Sequence, residues 1–349
     1  MSCRTAACCA RHPRACEPPP RRSSEVRAPP NGVFTLTSLG STVPSSAASD
    51  PVARRVLRKL AIGGQLAVSH TNGANLPFAR NWYAHLQRAR VRNFALIATD
   101  EEAFAALSRE LPSRVVRCPH TIAAHRGRAQ PLRYRSSGWT RLMFAVPKMV
   151  RWVLRMDVDV LWMDTDVVTL SDPFPVLSTL LEGKSREELS LLASVDGRVP
   201  DENVGECRVS YSKELRWGGS AGGWKLCGGL FFIRHSTASR DFLRMWEQRL
   251  QEPHAGAKNQ PHYNEALRSS KLPFRLLPCE LFPNGYRYAS AAWRSKFARI
   301  NGSQPVLVHN NWIKGHEAKL SRFRMWGMWV DPALNATQTG SETQQGLRR

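Results

Sequence analysis

Val160-Leu161-Trp162-Met163-Asp164-Thr165-Asp166-Val167-Val168 is the stretch on which the reading of this chain turns. A short apolar run delivers two carboxylates, one residue apart, and then becomes apolar again. Such a run reads as a strand buried on both faces, as in a parallel sheet. Acids at the C-terminal end of that strand sit where open α/β sheets bind ligands. An aspartate is costly to bury unless it is paired or holds a metal. Magnesium-type sites use one or two carboxylates together with the substrate's own phosphates. The segment therefore reads as a carboxylate pair offered to a hard divalent cation, with a nucleotide-type substrate as the natural partner.

Strands and helices alternate on either side of it. Strand patterns fall at 65–69, 94–98, 115–116, 191–195, 228–234, 274–277 and 306–308. Helical spacing falls at 78–90, 101–111, 139–155, 239–250 and 263–267, with Pro147 expected to kink the third of these. Asp100 is placed to cap the helix that begins at Glu101. This alternation predicts an α/β fold with a mainly parallel sheet flanked by helices. Residues 1–58 are rich in Pro, Ser and Arg and read as a disordered, targeting or linker segment. The domain is expected over 59–330, with a polar tail over 331–349. A basic loop (120–137) and a Gly-rich polar loop (197–226) interrupt it.

Composition narrows the classes. The 349 residues, 42% of them apolar, are enough for a real core. The net charge of +22 raises nucleic-acid binding first. The arginines run along the whole chain without a nucleic-acid motif, so no nucleic-acid partner is expected, and an acidic or phosphorylated substrate explains the charge as well. Eleven tryptophans suit a carbohydrate site, or equally a set of core anchors.

Cys3, Cys8, Cys9 and Cys16 with His12 match no tetrahedral zinc spacing. Cys118, Cys207, Cys227 and Cys279 can form up to two disulfides in an oxidising compartment. No apolar run reaches the roughly 18 residues of a membrane span, and no clear signal core opens the chain. The arginine, serine and scarcity of acids near the N-terminus resemble a transit peptide. Asn301-Gly302-Ser303 and Asn335-Ala336-Thr337 have the form of glycosylation acceptors.

The chain carries two acid pairs of the same spacing, Asp157/Asp159 and Asp164/Asp166. The first lies where a helix passes into a strand, and capping or solvation accounts for it. The second follows the apolar strand and precedes the turn at Ser171-Asp172-Pro173, so position favours it as the metal pair. Far along the chain, His309-Asn310-Asn311-Trp312 follows a strand, and Gly315 and Lys319 come soon after. A histidine can complete a shell with two aspartates, a glycine lets backbone approach a phosphate, and a lysine is a point charge for a diphosphate. Taken alone, the same segment also reads as a surface loop with a water-exposed histidine.

The ordered set of these pieces resembles the nucleotide-diphospho-sugar transferases of glycosyltransferase family 77, which include plant and algal arabinosyl-, xylosyl- and galactosyltransferases. The likeness runs from about Ser69 to Trp329. It rests on Asn81-Trp82, Thr99-Asp100, Lys148, the stretch 159–168, Asp172-Pro173, 194–196, Gly228-Gly229-Leu230-Phe231-Phe232, Asn259-Gln260 with Asn264, 281–285, and His309-Asn310-Asn311-Trp312 with Gly315 and Lys319.

The resemblance implies a GT-A type, Rossmann-like fold and a retaining enzyme. It implies a UDP-sugar donor whose diphosphate is bridged by Mn2+ or Mg2+ to Asp164, Asp166 and His309. Lys148, Lys319 and Gly315 would serve the diphosphate. Asn72 and Asp100 would serve the base or ribose, the alternatives being a turn residue and an N-cap. Gln260 and Asp196 would serve the sugar. The implied acceptor is a hydroxyproline-rich glycoprotein or a cell-wall glycan, and the implied compartment is the Golgi lumen, although no membrane anchor is encoded in this chain. Two departures stand out. Asn259-Gln260 replaces an acid–glutamine pair, and Cys227-Gly228-Gly229 replaces Asn-Thr-Gly. Together they raise the alternative of a catalytically silent sugar-nucleotide-binding subunit.

Overall fold

The computed structural model describes residues 51–118, 137–196, 226–252, 259–295 and 304–330. The first element is helix α1 (Pro51–Leu60), whose Ala53 and Leu57 enter the core. Composition alone leaves 51–58 in the linker, because its arginines mask a short apolar stripe at Ala53, Val56, Leu57 and Leu60. There follow β1 (Gln65–Thr71), α2 (Leu76–Arg88), β2 (Phe94–Ala98), α3 (Glu101–Glu110) and β3 (Val115–Arg117). Next come α4 (Ser137–Leu154), which runs through Pro147 without a break, β4 (Asp159–Met163), β5 (Val167–Thr169), α5 (Phe174–Leu181) and β6 (Leu191–Val195). The last group is β7 (Leu226–Ile233), α6 (Thr237–Leu250), α7 (Asn259–Ser270), β8 (Phe274–Leu276), α8 (Gly285–Ala289), β9 (Leu307–His309) and α9 (His316–Met325).

The main sheet has seven strands in the order β3-β2-β1-β4-β7-β6-β8. β1 is parallel to both β2 and β4, β2 to β3, and β6 to β8; β7 runs antiparallel to its neighbours β4 and β6. This is the mixed, mainly parallel sheet flanked by helices expected of a GT-A type fold. Alternation along the central strands feeds two cores. Val160 and Trp162 of β4 join Phe231 and Ile233 of β7 in one cluster with Trp152, Trp246 and Tyr263 from α4, α6 and α7. Leu161 and Met163 join Leu230 and Phe232 in the other, with Trp82, Leu107 and Leu177 from α2, α3 and α5. Both faces of β4 are covered, so its sequence is apolar without alternation.

A second, two-stranded ribbon pairs β5 with β9 in antiparallel register, Val167 opposite His309. It lies immediately after the acids that follow β4. Trp82, Trp152, Trp162, Trp246 and Trp293 are buried anchors, whereas Trp312 is exposed. Among the body cysteines Cys227 is a free thiol and Cys279 is disulfide-bonded, so these four do not form two disulfides. Among the described residues no helix is long and apolar enough to cross a membrane. The N-terminal cysteines with His12, most of the basic loop, the Gly-rich loop with Cys207, both glycosylation triplets and the polar tail lie outside the described residues.

Candidate active site

The two acid pairs part company at the two ends of β4. Asp157, in a left-handed conformation just before the strand, is exposed and pairs with Arg54 and Arg58 of α1. Asp159 is buried at the strand's start. Its Oδ1 accepts from Arg186 Nη1 at 2.6 Å and from the backbone N–H of His235 at 2.8 Å, and lies 2.8 Å from His235 Nδ1. These contacts tie β4 to the segments flanking β6 and β7.

Asp164 and Asp166 lie at the other end. Asp164 N–H donates to Gly229 O at 2.7 Å, which holds the turn against β7. The ribbon then brings in His309, whose Nε2 lies 3.3 Å from Asp166 Oδ1. Lys319 of α9 reaches Asp166 Oδ2 at 2.5 Å. One ligand atom from each of Asp164, Asp166 and His309 lies within 4.8 Å of the others, a metal-sized cluster. Gly229 is the floor of this cluster. A Cβ there would stand 2.3 Å from Asp164 Oδ2 and 3.0 Å from His309 Cε1. Residue 229 must therefore be glycine for the two side chains to approach.

The electrostatics fit a cation-binding pair. Burial, then the neighbouring Asp166 charge, pushes the Asp164 carboxyl up to about 7. Burial also works against the Asp166 charge, but Lys319 and His309 outweigh it and hold that carboxyl well below the usual range. His309 is held well above its ordinary value, against the effect of burial, by the Cys227 sulfur and the Asp166 carboxylate. Two close carboxylates crowd each other's charge, and a divalent cation relieves both. Two oxygen ligands and one imidazole suit manganese or magnesium better than a soft metal.

A second cluster adjoins the first. Asp196, directly after β6, accepts from Gln260 Nε2 at 2.5 Å through Oδ2, and through Oδ1 from Asn311 Nδ2 at 2.8 Å and Trp312 Nε1 at 3.1 Å. Asn311 also approaches Cys227 Sγ at 4.0 Å, and that sulfur lies 3.5 Å from His309 Nδ1. Asp196 and the metal-sized cluster are thus joined through Asn311, Cys227 and His309. The loop after β9 is clamped from below. Gly285 N–H donates to Asn311 Oδ1 at 2.7 Å, His309 N–H donates to Pro283 O at 3.1 Å, and Arg322 donates to Asn310 Oδ1 and Asn311 O.

The remaining expected residues lie as follows. Asn72 is buried and caps the short helical turn Gly73–Asn75, accepting from Asn75 N–H at 3.1 Å. Asp100 caps α3 through Ala103 N–H at 2.8 Å and also accepts from Gly73 N–H at 3.0 Å, so it ties the ends of β1 and β2 together. Gly315 stands at the N-terminus of α9 with φ 89°, a conformation that favours glycine. Lys148 does not join the cluster; its ammonium pairs with Glu247 of α6 at 3.5 Å. Asn259 bonds Trp246 Nε1 and Met143 O and serves packing, whereas Gln260 faces Asp196. Cys227, Gly229 and Asn311 are residues whose parts in the site the sequence alone did not assign. The signal for Gly229 and Asn311 lay inside motifs already singled out; for Cys227 the departure from the family pattern was itself the signal.

The family model for nucleotide-diphospho-sugar transferases matches residues 89–323, and the chain belongs to that family. It is a glycosyltransferase. Among curated proteins it is 25% identical over 313 residues to UDP-D-xylose:L-fucose alpha-1,3-D-xylosyltransferase 1 of Arabidopsis thaliana, covering 86% of this chain and 81% of that one. It is 25% identical over 217 residues to the UDP-galactose:fucoside alpha-3-galactosyltransferase of Dictyostelium discoideum, covering 56% of this chain and 29% of that one. Among solved structures it is similar to the galactosyltransferase LgtC in complex with donor and acceptor sugar analogs. There the TM-score is 0.47 at 15% identity, over 77% of this chain and 99% of that one.

Proposed function

We propose that this chain is a metal-dependent, retaining glycosyltransferase that moves arabinose, xylose or galactose from a UDP-sugar to a glycan or glycoprotein acceptor. The observation that carries the proposal is the Asp164–Asp166–His309 cluster at the C-terminal end of a central parallel strand. The names of the xylosyl- and galactosyltransferase relatives support a UDP-sugar donor.

Asp164, Asp166 and His309 would hold Mn2+ or Mg2+, and when bound the ion offsets the charge that builds on the leaving diphosphate. Lys319 adds fixed positive charge at Asp166. The N-terminus of α9 at Gly315 offers unsatisfied backbone N–H groups to phosphate. Asn72 and Asp100, on the loops after β1 and β2, would face the base and ribose. Lys148 can serve the diphosphate only by leaving Glu247.

Asp196 and Gln260 would border the sugar and stabilise the cationic character of its anomeric carbon. The acceptor oxygen forms the new bond to that carbon as the bond to the phosphate oxygen breaks, and the acceptor's proton passes to the departing phosphate. No separate general base is then needed. Asn259 is engaged with Trp246 and Met143, which does not support a covalent intermediate at that position.

The proposed compartment is the Golgi lumen. The disulfide at Cys279 supports an oxidising environment, and the proposed acceptor is a hydroxyproline-rich glycoprotein or a cell-wall glycan.

The test is a screen of UDP-sugars for hydrolysis and transfer with manganese and with chelator. Turnover is expected to vanish with chelator and to fall sharply in Asp166→Ala and His309→Ala. Full activity in both variants removes the metal assignment. Cys227 beside His309, a departure from the family pattern the chain resembles, favours the silent-subunit alternative as a second reading. Calorimetric binding of UDP with manganese, in the absence of turnover with every donor, would select it.

A further inference from the structure

The geometry points to an acceptor platform made by Trp312 and Tyr286, which takes the apolar face of a pyranoside. This deepens the transferase reading above and rests on it. Both residues are among the exposed large hydrophobic side chains, at 44% and 42%, and their ring centroids lie 5.6 Å apart. They come from different elements, Tyr286 from α8 and Trp312 from the loop between β9 and α9. The pair is assembled by design of the loop: the Gly285–Asn311 hydrogen bond joins the two elements one residue before each ring.

Trp312 adopts φ 61°. A bulky residue rarely takes the left-handed region, and such conformations persist where the surrounding contacts enforce them, often at ligand sites. Here the enforcing contact is the Asp196 carboxylate, which receives the indole N–H at 3.1 Å. The indole's single polar atom is thereby engaged, and the rest of the side chain is carbon. The same carboxylate receives Gln260 and Asn311, so the platform borders the cluster assigned above to the transferred sugar.

An aromatic pair beside carboxylate and amide groups matches a sugar ring, which offers C–H groups on one face and hydroxyls at its edge. A 6-deoxyhexoside adds a methyl group to the apolar part. That chemistry fits the fucose and fucoside acceptors in the names of the two relatives.

Two measurements test this. In the first, acceptor and donor KM are read separately, with methyl α-L-fucopyranoside as the acceptor probe, for wild type, Tyr286→Ala, Trp312→Ala and Trp312→Phe. Tyr286→Ala is expected to raise the acceptor KM by about tenfold, the scale of one aromatic contact. Donor KM should move far less, and Trp312→Phe should retain more transfer than Trp312→Ala. An acceptor KM that does not move in Tyr286→Ala and Trp312→Ala overturns the platform while leaving the transferase intact.

The second measurement is saturation-transfer NMR of the same glycoside without donor. Loss of signal in the two alanine variants supports the platform, and equal signal in all three proteins overturns it. A wild type that turns over no UDP-sugar defeats the transferase reading instead, and the NMR result then still decides whether this surface takes a pyranoside.

Discussion

Replacing Gly229 by alanine is the most direct challenge to the proposed metal cluster. The new Cβ would lie 2.3 Å from Asp164 Oδ2, 2.8 Å from its Cγ and 3.0 Å from His309 Cε1. Non-bonded atoms settle near 3.5 Å, so the carboxylate must recede by roughly 1 Å. The backbone cannot absorb the shift cheaply, because Asp164 N–H is held by Gly229 O at 2.7 Å and β4 pairs with β7 directly behind it. The side chains of Asp164 and His309 must therefore move.

A displacement of about 1 Å at a reacting geometry costs on the order of 100-fold in rate, or about 2.7 kcal/mol of transition-state stabilisation. Overpacking adds a stability loss of about 1–3 kcal/mol. The neighbouring Gly228→Ala is the control. Its Cβ would meet Trp246 and Tyr263 carbons at 3.7–3.8 Å, which is ordinary contact. The assay is manganese titration of UDP-sugar turnover, with thermal unfolding in parallel. Gly229→Ala is expected to lose about 100-fold in kcat/KM and to need more manganese, while Gly228→Ala stays near wild type. Wild-type turnover and manganese dependence in Gly229→Ala would refute the cluster; so would equal damage in both variants.

Four further outcomes are expected. Asp159→Asn leaves the Arg186 and His235 contacts uncompensated and should lower stability by up to about 3–5 kcal/mol in chemical denaturation while preserving kcat at low temperature. Asp166→Asn should abolish turnover and, because it strips Lys319 and His309 of their carboxylate, lower stability as well. Burial lowers the His70 pKa to about 4, so the unfolded chain takes up a proton that the folded chain refuses. This contribution is fully present above pH 6.5 and is lost as pH falls toward 4, about 2 kcal/mol of it between pH 7 and 5; denaturation of His70→Phe should show that much less acid sensitivity. Cys227→Ala removes the sulfur beside His309 Nδ1 and should weaken manganese activation by about 10-fold or more, the usual scale for a partner behind a metal-ligating histidine; unchanged activation in a metal titration would count against that role.

The strands were legible because both faces of the sheet are covered. Val160 to Met163 is apolar at every position, and Leu226 to Ile233 is buried along its whole length. Helix α1 was missed because four arginines and lysines in ten residues hide its stripe. The positions of Asp164 and Asp166 followed from the strand that delivers them. The route of His309 did not, because a three-residue ribbon carries too little pattern to be read as a pairing. The role of Lys148 could not be read either. A lysine on a helix looks the same in sequence whether it meets a diphosphate or Glu247 of the next helix. Asp100 shows a third case, since its place before α3 reads as an N-cap in sequence, whereas its second hold, on Gly73 in another loop, carries no sequence signal.

The β5–β9 ribbon is the device that makes one site of separate pieces. Its register sets Val167 opposite His309, which brings the imidazole to Asp166. The next residues of the same segment then reach outward: Asn310 N–H to Asp166 O, Asn311 and Trp312 to Asp196. A slip of one residue would turn His309 to the other face of the ribbon, and it would carry Asn311 and Trp312 away from Asp196 in the same movement. Metal cluster and sugar-facing cluster are therefore set by one pairing rather than by two independent ones. This explains why the clamps on the segment are so dense, with Gly285, Pro283 and Arg322 all bonded to its backbone or amide groups. Rigid loops hold reacting groups where chemistry needs them, and here the rigidity is shared between the end that would release the diphosphate and the end that would receive the sugar.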